Sequence, residues 1–236
     1  TMIHSCVCHT LKCLKYGQAV VLLIGNRQIP FIFQGINGNC VVGITSGNQV
    51  LALDCRCITA VICSRTAVNI NRFSNPNVIT IPDSGAATPY PSTINVSGLS
   101  GTVANVTVTL RNLTHSYLAD LQILLVGPQG QNVILMSTVG GFSPGVVNAT
   151  YTFSDAAVNS MTEDAIPPSG IYKPSTTLPV TALPGAPGLP YGTVLSVFNG
   201  TNPNGAWRLY VYDQFTQDQG AINRGWELTI TTRESL

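Results

Sequence analysis

The chain has 236 residues, of which only 9% are charged, and its formal net charge is +1. An average soluble protein carries roughly 25% charged residues, so this surface must be built from Thr, Asn, Ser, Gln and Gly. No basic face exists to neutralise phosphates, which argues against a nucleic-acid partner, and the longest apolar run, Ala19–Ile24, falls far short of the roughly 20 residues that cross a bilayer.

Thr1–Ser5 lacks a basic segment ahead of a long apolar core. No export signal is read there, and the start is taken as processed or incomplete. All seven cysteines lie early in the chain: Cys6, Cys8, Cys13, Cys40, Cys55, Cys57 and Cys63. An odd count leaves at least one thiol over after internal pairing, and in an oxidising compartment a spare thiol points to a bond with another chain.

The first module, residues 1–64, follows a cysteine-rich arm with short apolar stretches. Ala19–Ile24, Ile29–Phe33, Cys40–Ile44, Val50–Leu53 and Cys57–Ile62 are separated by Gly/Asn turns such as Gly25-Asn26 and Ser46-Gly47-Asn48. That pattern predicts strands of a small β-barrel or sandwich. A core this small is marginal, and disulfides worth about 2–4 kcal/mol each would close the gap. Residues i and i+2 of a strand share a face, so Cys55 and Cys57 project in parallel. An extended Cys57–Cys63 segment spans about 20 Å, whereas a disulfide needs Cα atoms within about 7 Å. Each cysteine must therefore find its partner elsewhere. The arm, residues 1–16, is the expected supplier, reaching its own barrel or the next subunit's. Zinc held with His4 or His9 is the rival reading, although Cys-x-Cys fits the usual knuckle spacing poorly.

Residues 65–92 read as an extended linker, broken by Asn75-Pro76, Pro82-Asp83-Ser84-Gly85 and Pro89-Tyr90-Pro91, with Val78–Ile81 able to form one strand. The second module, residues 93–236, alternates. Val106, Val108 and Leu110 are interleaved with Thr107 and Thr109. Trp207, Leu209 and Val211 are interleaved with Arg208, Tyr210 and Tyr212. Trp226, Leu228 and Ile230 are interleaved with Glu227, Thr229 and Thr231. One apolar and one polar face per strand describe a half-buried sandwich. A proline-rich loop is expected over Pro167–Pro190.

Little in the chain suggests catalysis. Gly141-Phe142-Ser143-Pro144-Gly145 has the spacing of a nucleophile elbow, but the residue after the serine must donate its N–H to the oxyanion, and Pro144 has none. His115, in a Thr-His-Ser turn, has no activated nucleophile suggested beside it and is expected to make a structural hydrogen bond. Asn-x-Ser/Thr sequons at Asn95, Asn105, Asn112, Asn148 and Asn199 are what chance places in a chain rich in Asn and Thr.

Several blocks of the second module resemble the P domain (P/Homo B domain) of subtilisin-like proprotein convertases, in its bacterial form. They are IPDSGAATPYPSTINVSGL at 81–99, THSYLADLQILLVGPQGQNVILMS at 114–137, FSDAA at 153–157, YGTVLSVFNGTNPNGAWRLYVYD at 191–213 and GAINRGWELTI at 220–230. The resemblance implies a jelly-roll β-sandwich that serves proteases without catalysis of its own. It also implies calcium near the loop ends, with Asp120, Asp155, Asp213 and Asp218 as the fitting positions, although Gln122, Thr138, Ser154 and Tyr212 stand where further acids are expected. The first module is similar to the small barrels of bacterial spore-coat proteins (GQAVVLLIG, VLALDCRCITAVIC).

The expected fold is therefore all-β: a small Cys-rich β-barrel followed by a jelly-roll β-sandwich. The expected function is a non-catalytic extracellular structural subunit of the cell or spore surface. Copies of the chain would self-assemble into a disulfide-linked fibre, appendage or coat, helical or fibrous, with no cofactor required and calcium as a candidate ion. The alternative is a secreted accessory module that stabilises or tethers a partner enzyme or binds a surface ligand.

Overall fold

The computed structural model describes residues 19–24, 26–37, 40–45, 50–54, 58, 60–62, 67–141, 144–177 and 179–234. The chain divides into two compact units, residues 1–66 with 235–236, and Ala67–Glu234. Strands dominate both, as the alternation requires.

In the first unit β1 (Ala19–Ile24), β2 (Arg27–Asn37), β3 (Cys40–Thr45), β4 (Val50–Asp54) and β5 (Ala60–Ile62) pair antiparallel in the order β4-β3-β2-β1-β5. Period-two side chains put Val20, Leu22, Phe31, Phe33 and Val41 together with Ile58 in one small core. Among the described residues β4 and β5 do not pair, so no barrel closure is present among them. Cys6, Cys8, Cys13, Cys55, Cys57 and Cys63 lie outside the described residues. Cys40 opens β3, its backbone opposite Asp54. The disulfide and zinc readings accordingly fall outside what the structure describes.

The expected linker is a correction. From Ala67 onward it holds β6 (Ala67–Asn75), β7 (Ile79–Ile81), β8 (Gly85–Ala86) and β9 (Ser92–Val96), all paired within the second unit. Pro76, Pro82, Pro89 and Pro91 fall between these strands, so the breakers shorten them without abolishing their ladders.

The remaining strands are β10 (Thr102–His115), β11 (Leu121–Val126), β12 (Asn132–Ser137), β13 (Val146–Phe153), β14 (Gly170–Tyr172), β15 (Ser175–Thr176), β16 (Gly205–Asp213), β17 (Gly220–Ile222) and β18 (Trp226–Glu234). One sheet runs β14-β13-β10, with the far edge of β10 shared by β17 and β18, which are flanked by β7 and β6. The other runs β15-β12-β11-β16, with β8 and β9 sharing the far edge of β16. Taking β6/β7, β8/β9 and β17/β18 as interrupted single strands, the main orders are 13-10-18-6 and 12-11-16-9. Those are the two sheets of a jelly roll.

The core between the sheets follows the alternation. Val106, Val108, Leu110, Trp207, Leu209, Val211, Trp226, Leu228 and Ile230 are all buried in it. Both of its tryptophan donors are satisfied, whereas the buried Thr232 Oγ1 has no hydrogen-bond partner among the described residues. Trp226 Nε1 donates to Ser92 Oγ at 3.0 Å, Asn75 Nδ2 donates to the same oxygen at 3.2 Å, and Trp207 Nε1 donates to the Pro203 carbonyl at 2.9 Å.

The outer face of the second sheet departs from the half-buried expectation. Leu124, Val126, Ile134 and Tyr210 are buried there with Leu183 and Tyr191, and Val180 and Ala186 pack against them. The proline-rich segment thus lies on the sheet, which is why every residue of β11 is buried. Gln122 fixes it: Nε2 donates to the Thr181 carbonyl at 2.7 Å, and Oε1 accepts from Thr181 Oγ1 at 3.2 Å.

Candidate functional site

One end of the sandwich gathers the chain's buried acids. The 14-residue β10 ends at His115, a short 3-10 turn covers Leu118–Asp120, and β16 ends at Asp213 directly opposite Leu121. This pairing brings the His115 ring and the Asp213 carboxylate together in the interior, both with fully buried side chains. His115 Nε2 lies 3.0 Å from Asp213 Oδ2. The other ring nitrogen, Nδ1, lies 2.9 Å from the Tyr117 carbonyl oxygen and 3.2 Å from its N–H. Both nitrogens are committed to the fold, and no Ser, Thr or Cys side chain bonds the ring among the described residues.

Space is made for the ring by Gly220, whose Cα faces it. A Cβ there would overlap the Thr114 carbonyl and stand 2.7 Å from His115 Cδ2. Asp213 is also saturated, since its Oδ1 accepts from Phe215 N at 3.0 Å. Burial pushes its carboxyl above the usual carboxylate range, against the pull of the Phe215 N–H and of His115, with Asp218 pushing the same way as burial.

Asp120 differs. It is 6% exposed, and its carboxylate accepts no hydrogen bond among the described residues. Burial first, then the charges of Asp213 and Asp218, push its carboxyl up to about 6. Its backbone carbonyl accepts from Gln214 N at 3.0 Å, which ties the loop after β16 to the 3-10 turn. That loop is held from its other side by Asp83, whose Oδ1 accepts from Gln217 N and, at 3.1 Å, from Asp218 N. Gln217 itself takes a positive φ of 85°. The result is a cavity of about 510 Å³ lined by Tyr117, Asp120, Thr138, Glu163, Phe215 and Asp218, among others.

The expected calcium set is therefore only partly assembled. Asp120, Asp213 and Asp218 are near enough to act on one another's charge. Asp155 stands apart: its two carboxylate oxygens accept from Leu195 N and Ser196 N, each at 2.8 Å, at the start of the 3-10 turn Leu195–Phe198. Asp155 lines a different cavity, with Lys173. Where acids were expected, Gln122 anchors the proline-rich segment, Ser154 Oγ accepts from Ala156 N at 3.3 Å, and Thr138 Oγ1 donates to the Ser137 carbonyl at 2.7 Å. Calcium takes about six to eight oxygens. Among the described residues no group of three or more acids, histidines or cysteines is placed to hold a metal.

Sequence reasoning missed Asp83, Glu163 and Phe215. Asp83 sits in a Pro-Asp-Ser-Gly turn, an available signal for a loop-capping carboxylate. Glu163 and Phe215 reach the cavity only through tertiary placement. Ser143 of the Gly-x-Ser-x-Gly string lies outside the described residues.

Residues 103–172 match the family model of the proprotein convertase P-domain, in agreement with the resemblance carried by the sequence blocks. Two curated relatives align over 157 residues, 66% of this chain. The transglutaminase-activating metalloprotease of Streptomyces mobaraensis is 27% identical, with 14% of its length covered. Leupeptin-inactivating enzyme 1 of Streptomyces exfoliatus is 30% identical, with 25% of its length covered. The chain thus spans a quarter or less of either relative. Solved structures of the Aeromonas sobria serine protease give TM-scores of 0.38, in its complex with the chaperone, and 0.35. Their identities are 14% and 12%, covering 83% and 92% of this chain and 36% and 37% of those chains.

These relatives overturn the expected fibre, appendage or coat subunit. The matched family is a module of proprotein convertases, and the curated relatives are a metalloprotease and a leupeptin-inactivating enzyme. Self-assembly through intermolecular disulfides loses its support with that reading. No helix among the described residues is long and apolar enough to cross a membrane.

Proposed function

We propose that this chain is an extracellular, non-catalytic accessory module that stabilises a protease or a related hydrolase. The observation that carries this reading is the partial coverage itself. The likeness to two Streptomyces enzymes takes in 66% of this chain but only 14% and 25% of theirs, and its family assignment is a convertase P-domain. What is shared is a 157-residue segment, a small fraction of each enzyme. The polar network at the loop end supports the absence of chemistry in this module. The buried histidine has both nitrogens engaged, and its carboxylate partner has both oxygens engaged.

The proposal assigns the sandwich a physical role. A rigid β body docked on a catalytic domain stabilises it by binding the folded and not the unfolded state. The test is heat inactivation of the Streptomyces mobaraensis metalloprotease deleted of its matched 157-residue segment, with and without this chain added in excess. A half-life that lengthens with chain concentration is expected. A half-life unchanged by saturating chain contradicts the proposal.

A further inference from the structure

The cavity between the Leu118–Asp120 turn and the loop after β16 has a composition that the buried His115–Asp213 pair does not use. Three carboxylates line it, Asp120, Glu163 and Asp218, with no Lys or Arg among its lining residues. Asp120 is more than nine-tenths buried and unpartnered. Burying a carboxylate without a donor costs free energy that a hydrogen-bonding cation would recover. The same wall carries Phe215, a large aromatic 58% exposed to solvent, together with Tyr117. An exposed ring beside buried anionic charge is the environment a flat cation fits. The guanidinium stacks on the aromatic face and sends its N–H groups to carboxylates at different points of the rim.

We propose that this cavity is the receptacle for an arginine side chain presented on the surface of the partner protein. Volume and donor set favour that occupant over a bare metal ion. About 510 Å³ is far more than an ion fills, and the acids do not converge on one point. An ammonium would satisfy the charge but not the planar aromatic wall. The proposal rests on the accessory-module reading for its partner, while the pocket's chemistry can be tested without one.

The experiment titrates the full chain, isotope-labelled, with N-acetyl-arginine methylamide near neutral pH and low salt, following backbone amide resonances. Shifts confined to Ala119, Asp120 and the Phe215–Asp218 loop are expected, with the citrulline analogue silent and added calcium unable to compete. Asp120→Asn is expected to weaken binding by about fivefold or more. Glu163→Gln, at the exposed rim, serves as a second variant and is expected to weaken it in the same direction. No localised shift well past millimolar ligand overturns the proposal, as does equal binding of citrulline or full displacement by calcium. If arginine binds here but the truncated metalloprotease is not protected, the accessory reading fails and the receptacle stands. If the enzyme is protected and arginine leaves the cavity unperturbed, the receptacle alone fails.

Discussion

Asp213 and His115 hold each other with both side chains fully buried. Truncating one partner of such a pair leaves the other buried and unsatisfied. Asp213→Ala is expected to destabilise the sandwich by about 3 kcal/mol, read as a lowered urea midpoint at unchanged slope. Asp120 behaves oppositely. Its carboxyl is raised to about 6 in the folded protein, so the fold holds that proton more tightly than the unfolded chain does. Stability is then greatest below the ordinary carboxylate range and falls as pH rises through the window up to about 6. Asp120→Asn removes the fall. It is expected to gain about 1 kcal/mol near pH 7, a value discounted because the cavity opens to water, and nothing near pH 4. Melting curves of both proteins across that range check it. The P-domain resemblance made Asp120 and Asp213 visible as candidates, by their places near the loop ends. It could not separate the engaged carboxylate from the free one. That distinction depends on Phe215 N and on a histidine 98 positions away.

The strands were legible because their chemistry is local. Trp226, Leu228 and Ile230 alternate with polar residues, and burial of the apolar set follows directly. Proline spacing misled at residues 67–92, where strands only two to nine residues long still find partners. The proline-rich segment misled in another way. Its Leu183 and Tyr191 are apolar anchors for a sheet face that alternation assigned to solvent. Gln122 is the polar clamp of that contact. Gln122→Ala is expected to cost about 1–2 kcal/mol and to accelerate proteolytic cutting between residues 179 and 191. Unchanged cutting would place the clamp elsewhere. At the neighbouring end, Gly220→Ala forces a methyl into the Thr114 carbonyl and the His115 ring. A loss of about 1–3 kcal/mol is expected in the same urea assay, as for other overpacked sites.

At the scale of the whole molecule, the division of labour follows from where sulfur lies. Residues 67–234 form a compact unit with no cysteine, so its stability comes from a core of buried tryptophans, tyrosines and aliphatic residues. Expressed alone, that unit is expected to melt cooperatively at a temperature that reductant does not change. A reductant-dependent shift would contradict the division. The odd cysteine count, the N-terminal arm, the low charge and the lack of a catalytic set pointed toward fibres. The second module matches the convertase P-domain model over residues 103–172, and the proposed protease service rests on it. A chimera tests this most directly: the Streptomyces mobaraensis metalloprotease with its matched segment replaced by residues 67–234, compared at elevated temperature with the segment-deleted enzyme and with an unrelated sandwich in the same place. The expected result is an inactivation half-life restored toward that of the intact enzyme by this unit and not by the unrelated one. Decay as fast as the deletion, or equal rescue by the unrelated sandwich, would contradict the account.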